Sequence, residues 1–349
     1  MKILEREIGS IDFAANQTRT LPLPRNYAYR SLQLLLKCNL TRVTTAGTST
    51  NEPKDSAPAQ LVKNIMIRAN GRDVIKNYDL ETLHRLCQFR HGVRPYIAGI
   101  DWAGGDDVSE KDLAIHAQID FAMWKAIRPI DSLLDSAGLA TLELIVTWGA
   151  GADTMDDAWN AEAGAVVTVN SATLYIASIE AVGVPANSRF ITSKEYMIRS
   201  QINAASAKHQ IALPVANLYR SIMLKCHSDG QNVHTILPHP QSITIQAGTE
   251  VFKYRIAHFL QLDNRLHNQQ EVPENLAAQG TAWDHYLYEL NHEGYYLLEC
   301  VVDGRLTECL DTSKLSSLDL ILDVSHPGTD DFVDVYPVEL IMPPVEVKS

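Results

Sequence analysis

The chain holds 12 histidines, 42 acidic residues and five cysteines, enough for metal or acid–base chemistry if the spacing allows it. The one stretch with ligand spacing is "DHYLYELNHEG", where His285, Glu289 and His292 follow one another at four and three residues. On a helix those three share a face and could bind zinc. The competing reading makes them exposed residues beside Trp283 and Tyr286. A double-cupin metal enzyme needs a His-x-His pair with a following Glu and a later His, converging on one metal. The chain has no His-x-His, and the "LPHPQ" stretch carries a single His239.

Other chemistry is weaker still. The acidic stretches Gly104–Asp112, Gly151–Asn160 and Pro327–Asp334 offer the oxygen ligands that calcium takes, but none has the spacing of a calcium loop, and they read as solvated loop acids. There is no Gly-x-Ser-x-Gly elbow, no phosphate loop and no dinucleotide fingerprint. Five cysteines without regular spacing make no disulfide framework, and Cys38 and Cys226, at the apolar ends of strand patterns, read as buried free thiols. Trp283, Tyr286, Tyr288, Tyr295 and Tyr296 form the only aromatic concentration, so a sugar-binding role would rest there. No catalytic, cofactor-binding or metal-ligating residue is assigned, and no enzyme activity is expected.

The elements that carry these residues show a duplication. "NYAYRSLQLLLKC" and "NLYRSIMLKC" share Tyr-Arg-Ser, an apolar alternation and Lys-Cys. Tyr29 and Tyr219 are 190 apart (219 − 29), Cys38 and Cys226 188 apart (226 − 38), so the second copy reads as two residues shorter. Two is the strand period, so such a deletion keeps each side chain on its face. Leu32, Leu34, Leu36 and Cys38 then point inward with Ile222, Leu224 and Cys226, while Gln33 and Met223 point outward. Leu23-Pro24 and Leu213-Pro214 precede the two strands, where proline is tolerated at a strand entry.

Three further echoes follow in the same order. Ile65–Lys76 matches Ile243–Lys253 as hairpins turning at Gly71 and Gly248. Asp135–Trp148 matches Asp311–Val324, and Thr173–Ala181 more loosely matches Glu339–Val347. Helical spacing after each hairpin predicts one helix over Tyr78–Phe89, capped by Asp79, and another over Tyr254–Leu266. The offsets shrink along the chain, as when strands persist and loops diverge.

The fold expectation is therefore all-β: two tandem eight-stranded jelly-roll barrels with short helical insertions. The first is placed at residues 1–185, a linker at 186–195 and the second at 196–349. At 349 residues and 46% hydrophobic content each half can bury its own core. No apolar run reaches the roughly 18 residues of a membrane span, and Glu5 and Glu7 interrupt any signal-peptide core at the N-terminus. A net charge of −12 with no basic cluster argues against specific nucleic-acid binding. The small polar residues of Thr41–Gln60 read as a loop.

Tandem jelly rolls, each with a helix inserted after a hairpin and with long variable loops, resemble the double jelly-roll major capsid proteins of tailless icosahedral viruses. That lineage spans lipid-containing bacteriophages and larger animal and algal viruses. The resemblance implies a structural protein made in the host cytoplasm and located in the virion shell. It implies homotrimers whose six barrels form a pseudo-hexagonal capsomer, lattice contacts with neighbouring trimers, minor capsid or penton partners and, in the lipid-containing members, an underlying viral membrane. Independently of the family, a duplicated domain lets a three-fold oligomer present six similar sides to a hexagonal lattice. The alternatives are the double-cupin metal enzyme and the sugar-binding jelly-roll protein.

Overall fold

Two sheets face each other in each half of this computed structural model, and the order of their strands repeats. The structure describes residues 2–43, 52–53, 57–92, 97–98, 108–126, 128–149, 159–160, 166–184, 191–229, 231–232, 236–237, 242–267 and 294–342. The described residues form two units. One draws on Met1–Ala122 and Leu133–Ser188, the other on Met123–Ser132, Arg189–Glu271 and His292–Ser349.

The first unit is built from β1 (Lys2–Asp12), β2 (Thr18–Pro22), β3 (Ala28–Val43), β4 (Val62–Ala69), β5 (Asp73–Tyr78), helix α1 (Leu80–His91), β6 (Val108–Asp120), β7 (Leu142–Trp148) and β8 (Val166–Val182). One sheet runs β1-β8-β3-β6 and the other β2-β7-β4-β5, with every pair antiparallel. The second unit follows with β9 (Ile198–Ile202), β10 (Ser206–Leu213), β11 (Leu218–Ser228), β12 (Ser242–Ala247), β13 (Glu250–Ile256), helix α2 (Ala257–His267), β14 (Tyr295–Glu299), β15 (Leu318–Val324) and β16 (Asp331–Ile341). Its sheets run β9-β16-β11-β14 and β10-β15-β12-β13, again antiparallel. First strand beside eighth, third between eighth and sixth: this is the jelly-roll order, twice.

Alternation explains the packing. Leu32, Leu34, Leu36, Cys38 and Leu40 of β3 are buried, while Gln33 and Lys37 between them are exposed. In the second unit Ile222, Leu224 and Cys226 join Ile243, Ile245, Leu318, Leu320, Leu322, Val333 and Val335 in one core. Met223, expected to point away from the core, lies outside it and is fully buried there. The hairpin turns come at Gly71 and Gly248, both with positive φ, where glycine carries no Cβ penalty.

Register refines three readings of the sequence. Leu36 stands opposite Leu174, and Cys226 opposite Val333. Counted from the shared tyrosines at an offset of 190, Cys226 thus replaces Leu36, and the Lys-Cys echo at 188 does not mark equivalent positions. Tyr29 faces Glu180 and Tyr219 faces Glu339, so the last strands align at an offset of 159 (339 − 180). The loose echo at Thr173–Ala181 was therefore out of register; a strand's alternation repeats too often to fix its own alignment. The helices run slightly later than predicted, and Tyr254 and Arg255 belong to β13, where ladder hydrogen bonds to Thr244 and Ile243 hold them extended. Asp79 does cap α1, accepting from the Thr82 amide at 2.5 Å. Of the loop expected at Thr41–Gln60, the first three residues extend β3 and the last four form a 3-10 turn, while 44–51 and 54–56 lie outside the described residues.

The segment expected as a linker ends in a strand, Thr192–Glu195, paired with Val338–Ile341; residues 185–190 lie outside the described set. Residues Met123–Ser132, although early in the chain, pack in the second unit. The Arg220 guanidinium lies 4.2 Å from the centre of the Trp124 ring and donates to the Trp124 carbonyl at 2.5 Å, and Met123 shares a small core with Ile191, Val301, Cys309 and Leu340.

Leu34→Asp or Leu224→Asp would bury an unpaired carboxylate and cost several kcal/mol, whereas Gln33→Asp stays in water. The expected outcome is loss of soluble protein for the first two, wild-type yield and thermal midpoint for Gln33→Asp, and a lowered midpoint for the buried Met223→Asp. Comparison of soluble yield and melting curves checks the strand phase in both units.

Candidate functional site

Where the chain's chemically capable residues fall into view, they are committed to holding the fold. Trp283, His285, Tyr286, Tyr288, Glu289, His292 and His239 lie outside the described residues, as do Gly104–Asp107 and Gly151–Ala158. Tyr295 and Tyr296 sit in β14, each about 1% exposed, and are core residues instead of a sugar platform. Among the described residues no group of three or more His, Cys, Asp or Glu is placed to hold a metal ion.

The third acidic stretch, Pro327–Asp334, is consumed by its own hydrogen bonds. Asp229 Oδ1 accepts from the Thr329 amide (2.8 Å), the Thr329 hydroxyl (2.9 Å) and the Asp330 amide (2.9 Å). The Asp330 and Thr329 amides and that hydroxyl hold its carboxyl below the ordinary range. Asp331 accepts from the Gly328 amide at 3.0 Å and pairs with His326 at 2.7 Å, and Arg199 forks onto Asp334 with two bonds of 2.7 Å. A Cβ at Gly328 would meet the Asp229 carboxylate and the Ser228 hydroxyl, which would have to turn away from the bonds just described.

The polar constellation that recurs is architectural. In the first unit Tyr29, fully buried, donates its hydroxyl to the Pro24 carbonyl at 2.6 Å; in the second, Tyr219 donates to Pro214 at 2.5 Å. The next residue is a β-bulge in both, Arg30 and Arg220, skipped in the ladder to the eighth strand. Each bulge turns its carbonyl to the end of the sixth strand. Arg30 accepts from the Phe121 and Ala122 amides, both at 3.0 Å, and Arg220 from the Cys300 amide at 2.9 Å. The Asp-Ser and Asp-Thr turns close the station. Ser136 donates to the Tyr27 carbonyl at 2.5 Å, and Thr312 to the Asn217 carbonyl at 2.6 Å. A buried glutamate completes each. Glu180 accepts from Arg6 and Ser178, both at 3.0 Å; Glu339 accepts from Tyr196 and, at 2.5 Å, from Asn217.

The helices are anchored at equivalent points too. Cys87 Sγ donates to the Gln118 carbonyl (3.3 Å) and accepts from its amide (3.0 Å). Asn264 makes the same double contact with Leu297, at 2.8 and 3.0 Å. Gln118 pairs with Gln33 and Leu297 with Met223, positions related by the offset of 190 (223 − 33).

Burial removes the thiols from nucleophilic chemistry. It pushes both Cys38 and Cys87 up to about 12 and Cys309 to about 11, and raises Cys226 and Cys300. An open groove of about 910 Å³ crosses the outer face of β3 and β8 beside α1, lined by Glu7, Lys37, His91, His116, Gln118 and Tyr175. Its polar groups are mutually engaged: Gln118 and His91 both hold Asp120, at 2.7 and 3.0 Å, and the Lys37 ammonium lies 5.8 Å from the Tyr175 ring centre. These contacts pin strands; a hydroxyl–imidazole contact, Ser200 Oγ to His209 Nε2 at 2.8 Å, lies away from this groove and links β9 to β10.

Two such barrels in one chain match known structures over nearly their whole length. The STIV MCP superposes with a TM-score of 0.72 at 14% identity, covering 98% of each chain. The fold is a double jelly roll. The major capsid protein of bacteriophage PM2 follows at a TM-score of 0.58 and 12% identity, covering 98% of this chain and 99% of that one. The Faustovirus major capsid protein gives 0.58 at 7% identity, covering 98% and 90%. No protein-family model matches the chain. No curated protein sequence matches it either.

The sequence shows half of this tyrosine–proline contact: Leu-Pro stands before the tyrosine in both copies, the proline five residues ahead of it. It does not show the buried glutamates, because they lie about 150 and 120 residues further on and carry no local signal.

Tyr29→Phe or Tyr219→Phe leaves a proline carbonyl without its donor and is expected to cost about 1 to 3 kcal/mol, read as a lowered denaturant midpoint. Burial raises both phenols above their usual value of 10.0, so their stabilisation is complete below pH 10 and is lost as pH rises beyond it. An alkaline melt should therefore stay flat to about pH 10. At pH 8 a thiol reagent should label the native chain slowly and all five cysteines after denaturation.

Proposed function

We propose that this chain is the major structural protein of an icosahedral viral capsid and works by assembly, without catalysis. The observation that carries the reading is the whole-chain match: both barrels, in order, superpose on viral capsid proteins at 98% coverage of each chain. The duplicated pinning station supports it, since the chain's buried polar groups serve rigid, repeated barrels.

In this reading three copies, each with two barrels joined through 186–195, form a capsomer with pseudo-six-fold sides, and the capsomers tile the virion shell. The chain is made in the host cytoplasm, its partners are other copies of itself and the minor or penton proteins that close a shell, and it binds no specific nucleic acid. An acidic surface, net −12, suits a protein kept soluble at high concentration before assembly.

Purified protein is expected to be a homotrimer by light scattering at micromolar concentration. Its mass and melting point should not respond to chelators, and negative-stain images should show hexagonal particles. A monomer with hydrolase or oxygenase activity would refute the proposal.

A further inference from the structure

The duplication supplies an internal control for surface burial, because each element of one unit has a counterpart in the other at the same register. Lys2–Glu5 of β1 pairs with Val182–Ile179, and Thr192–Glu195 pairs with Ile341–Val338, the equivalent residues of the second unit. The second-unit copy is covered, with Ser193 and Glu195 buried; in the first-unit copy Lys2, Ile3 and Glu5 are exposed. The opposite imbalance holds for the fifth strands. Strand β5 has its bulge at Ile75 and β13 has the same bulge at Phe252. Position by position β5 is the more covered: Ile75, Lys76 and Tyr78 are buried where Phe252 and Lys253 are half-buried and Arg255 is exposed, and the half-buried Val74 and Asn77 answer to the exposed Val251 and Tyr254. The helices that follow agree: α1 is buried from Leu80 to Arg90, whereas α2 exposes Phe259, Leu262 and Leu266 at 58%, 50% and 69%.

Two elements of matching kind are thus left open, and both are end strands of their sheets among the described residues. An end strand presents unpaired amides and carbonyls that accept another strand. We propose that the start of β1 in one copy, Lys2–Arg6, adds to the open edge of β13 in a second copy, with the apolar face of α2 packed beside the seam. This rests on the capsomer reading and names the surface by which copies meet. Val251, Tyr254, Phe259, Leu262 and Leu266, on consecutive elements, are all large apolar side chains at least half exposed, the kind of surface that marks an interaction site. Glu250, Arg255 and Asp263 bring both signs of charge beside it, and Lys2 and Glu5 bring both signs to meet them, as protein partners do. The two edges differ, so the contact is heterologous, the kind that builds the ring of three in the capsomer reading and not a two-fold dimer.

Cysteine trapping in the full chain tests this. Ile3→Cys combined with Tyr254→Cys, and separately with Val251→Cys to cover the other strand phase, should give dimer and trimer bands on a non-reducing gel that collapse on reduction. Each single variant and the wild type, whose own thiols are buried or half-buried, should give none. Tyr254→Lys should weaken trimer formation at least tenfold while leaving the melting point of the dissociated chain unchanged. A trimeric mass without cross-linked bands from either pair overturns this surface and leaves the capsomer reading intact; a monomeric wild type overturns both. Flotation with anionic vesicles that Tyr254→Lys abolishes, with the trimer mass kept, would assign the face to a lipid surface and overturn the proposal.

Discussion

A tyrosine hydroxyl cannot be buried without a partner, and in both barrels that requirement fixes the entry of the third strand. Tyr29 and Tyr219 are each sealed in the core, and each reaches back five residues to the carbonyl of a proline that has no amide of its own to offer the ladder. The bond sets where the strand begins. The bulge beside it then turns one carbonyl out of the ladder toward the end of the sixth strand. First, third, sixth and eighth strands are tied at one end by a handful of hydrogen bonds, and the apolar alternation along the strands does the rest. Replacing the tyrosine by a purely apolar residue would keep the packing and lose the registration point.

Much of this was legible in the sequence, for a reason that also marks its limits. A strand keeps its face only if its length changes by even numbers, so duplicated strands stay recognisable after their loops have drifted. Ile65 and Ile243, Asp135 and Asp311, Tyr29 and Tyr219 all occupy equivalent places. The same two-residue period makes alignment ambiguous, however. Lys225-Cys226 looks like Lys37-Cys38 but stands two residues earlier in the barrel, and Thr173–Ala181 found a false partner seven residues out of step. Only the ladder, through Tyr29 opposite Glu180 and Tyr219 opposite Glu339, resolves it. Met223 shows the other limit: alternation says which way a side chain points, and what covers it there is a tertiary fact.

The two copies have also specialised chemically at equivalent points. A thiol at Cys87 and a carboxamide at Asn264 each bind both backbone groups of one residue on the sixth strand. The glutamate that an arginine and a serine hold in the first barrel is held in the second by a tyrosine and an asparagine. What persists is the demand of a buried carboxylate for two donors; which side chains donate has been free to change.

Trp124 belongs to the first half of the chain but packs under Arg220 in the second unit. This has a bearing on the order of events at the ribosome. The first barrel can close only once Val182 has emerged to pair with Lys2, and by then Met123–Ser132 has already been synthesised and must wait, without its partners, for the third strand of the second barrel. Translation therefore delivers a first barrel whose connection between the sixth and seventh strands still lacks its packing partners. The small core around Leu340 is completed by residues made nearly a hundred positions before Arg220, so the second unit finishes folding on chain that was synthesised before its own first strand.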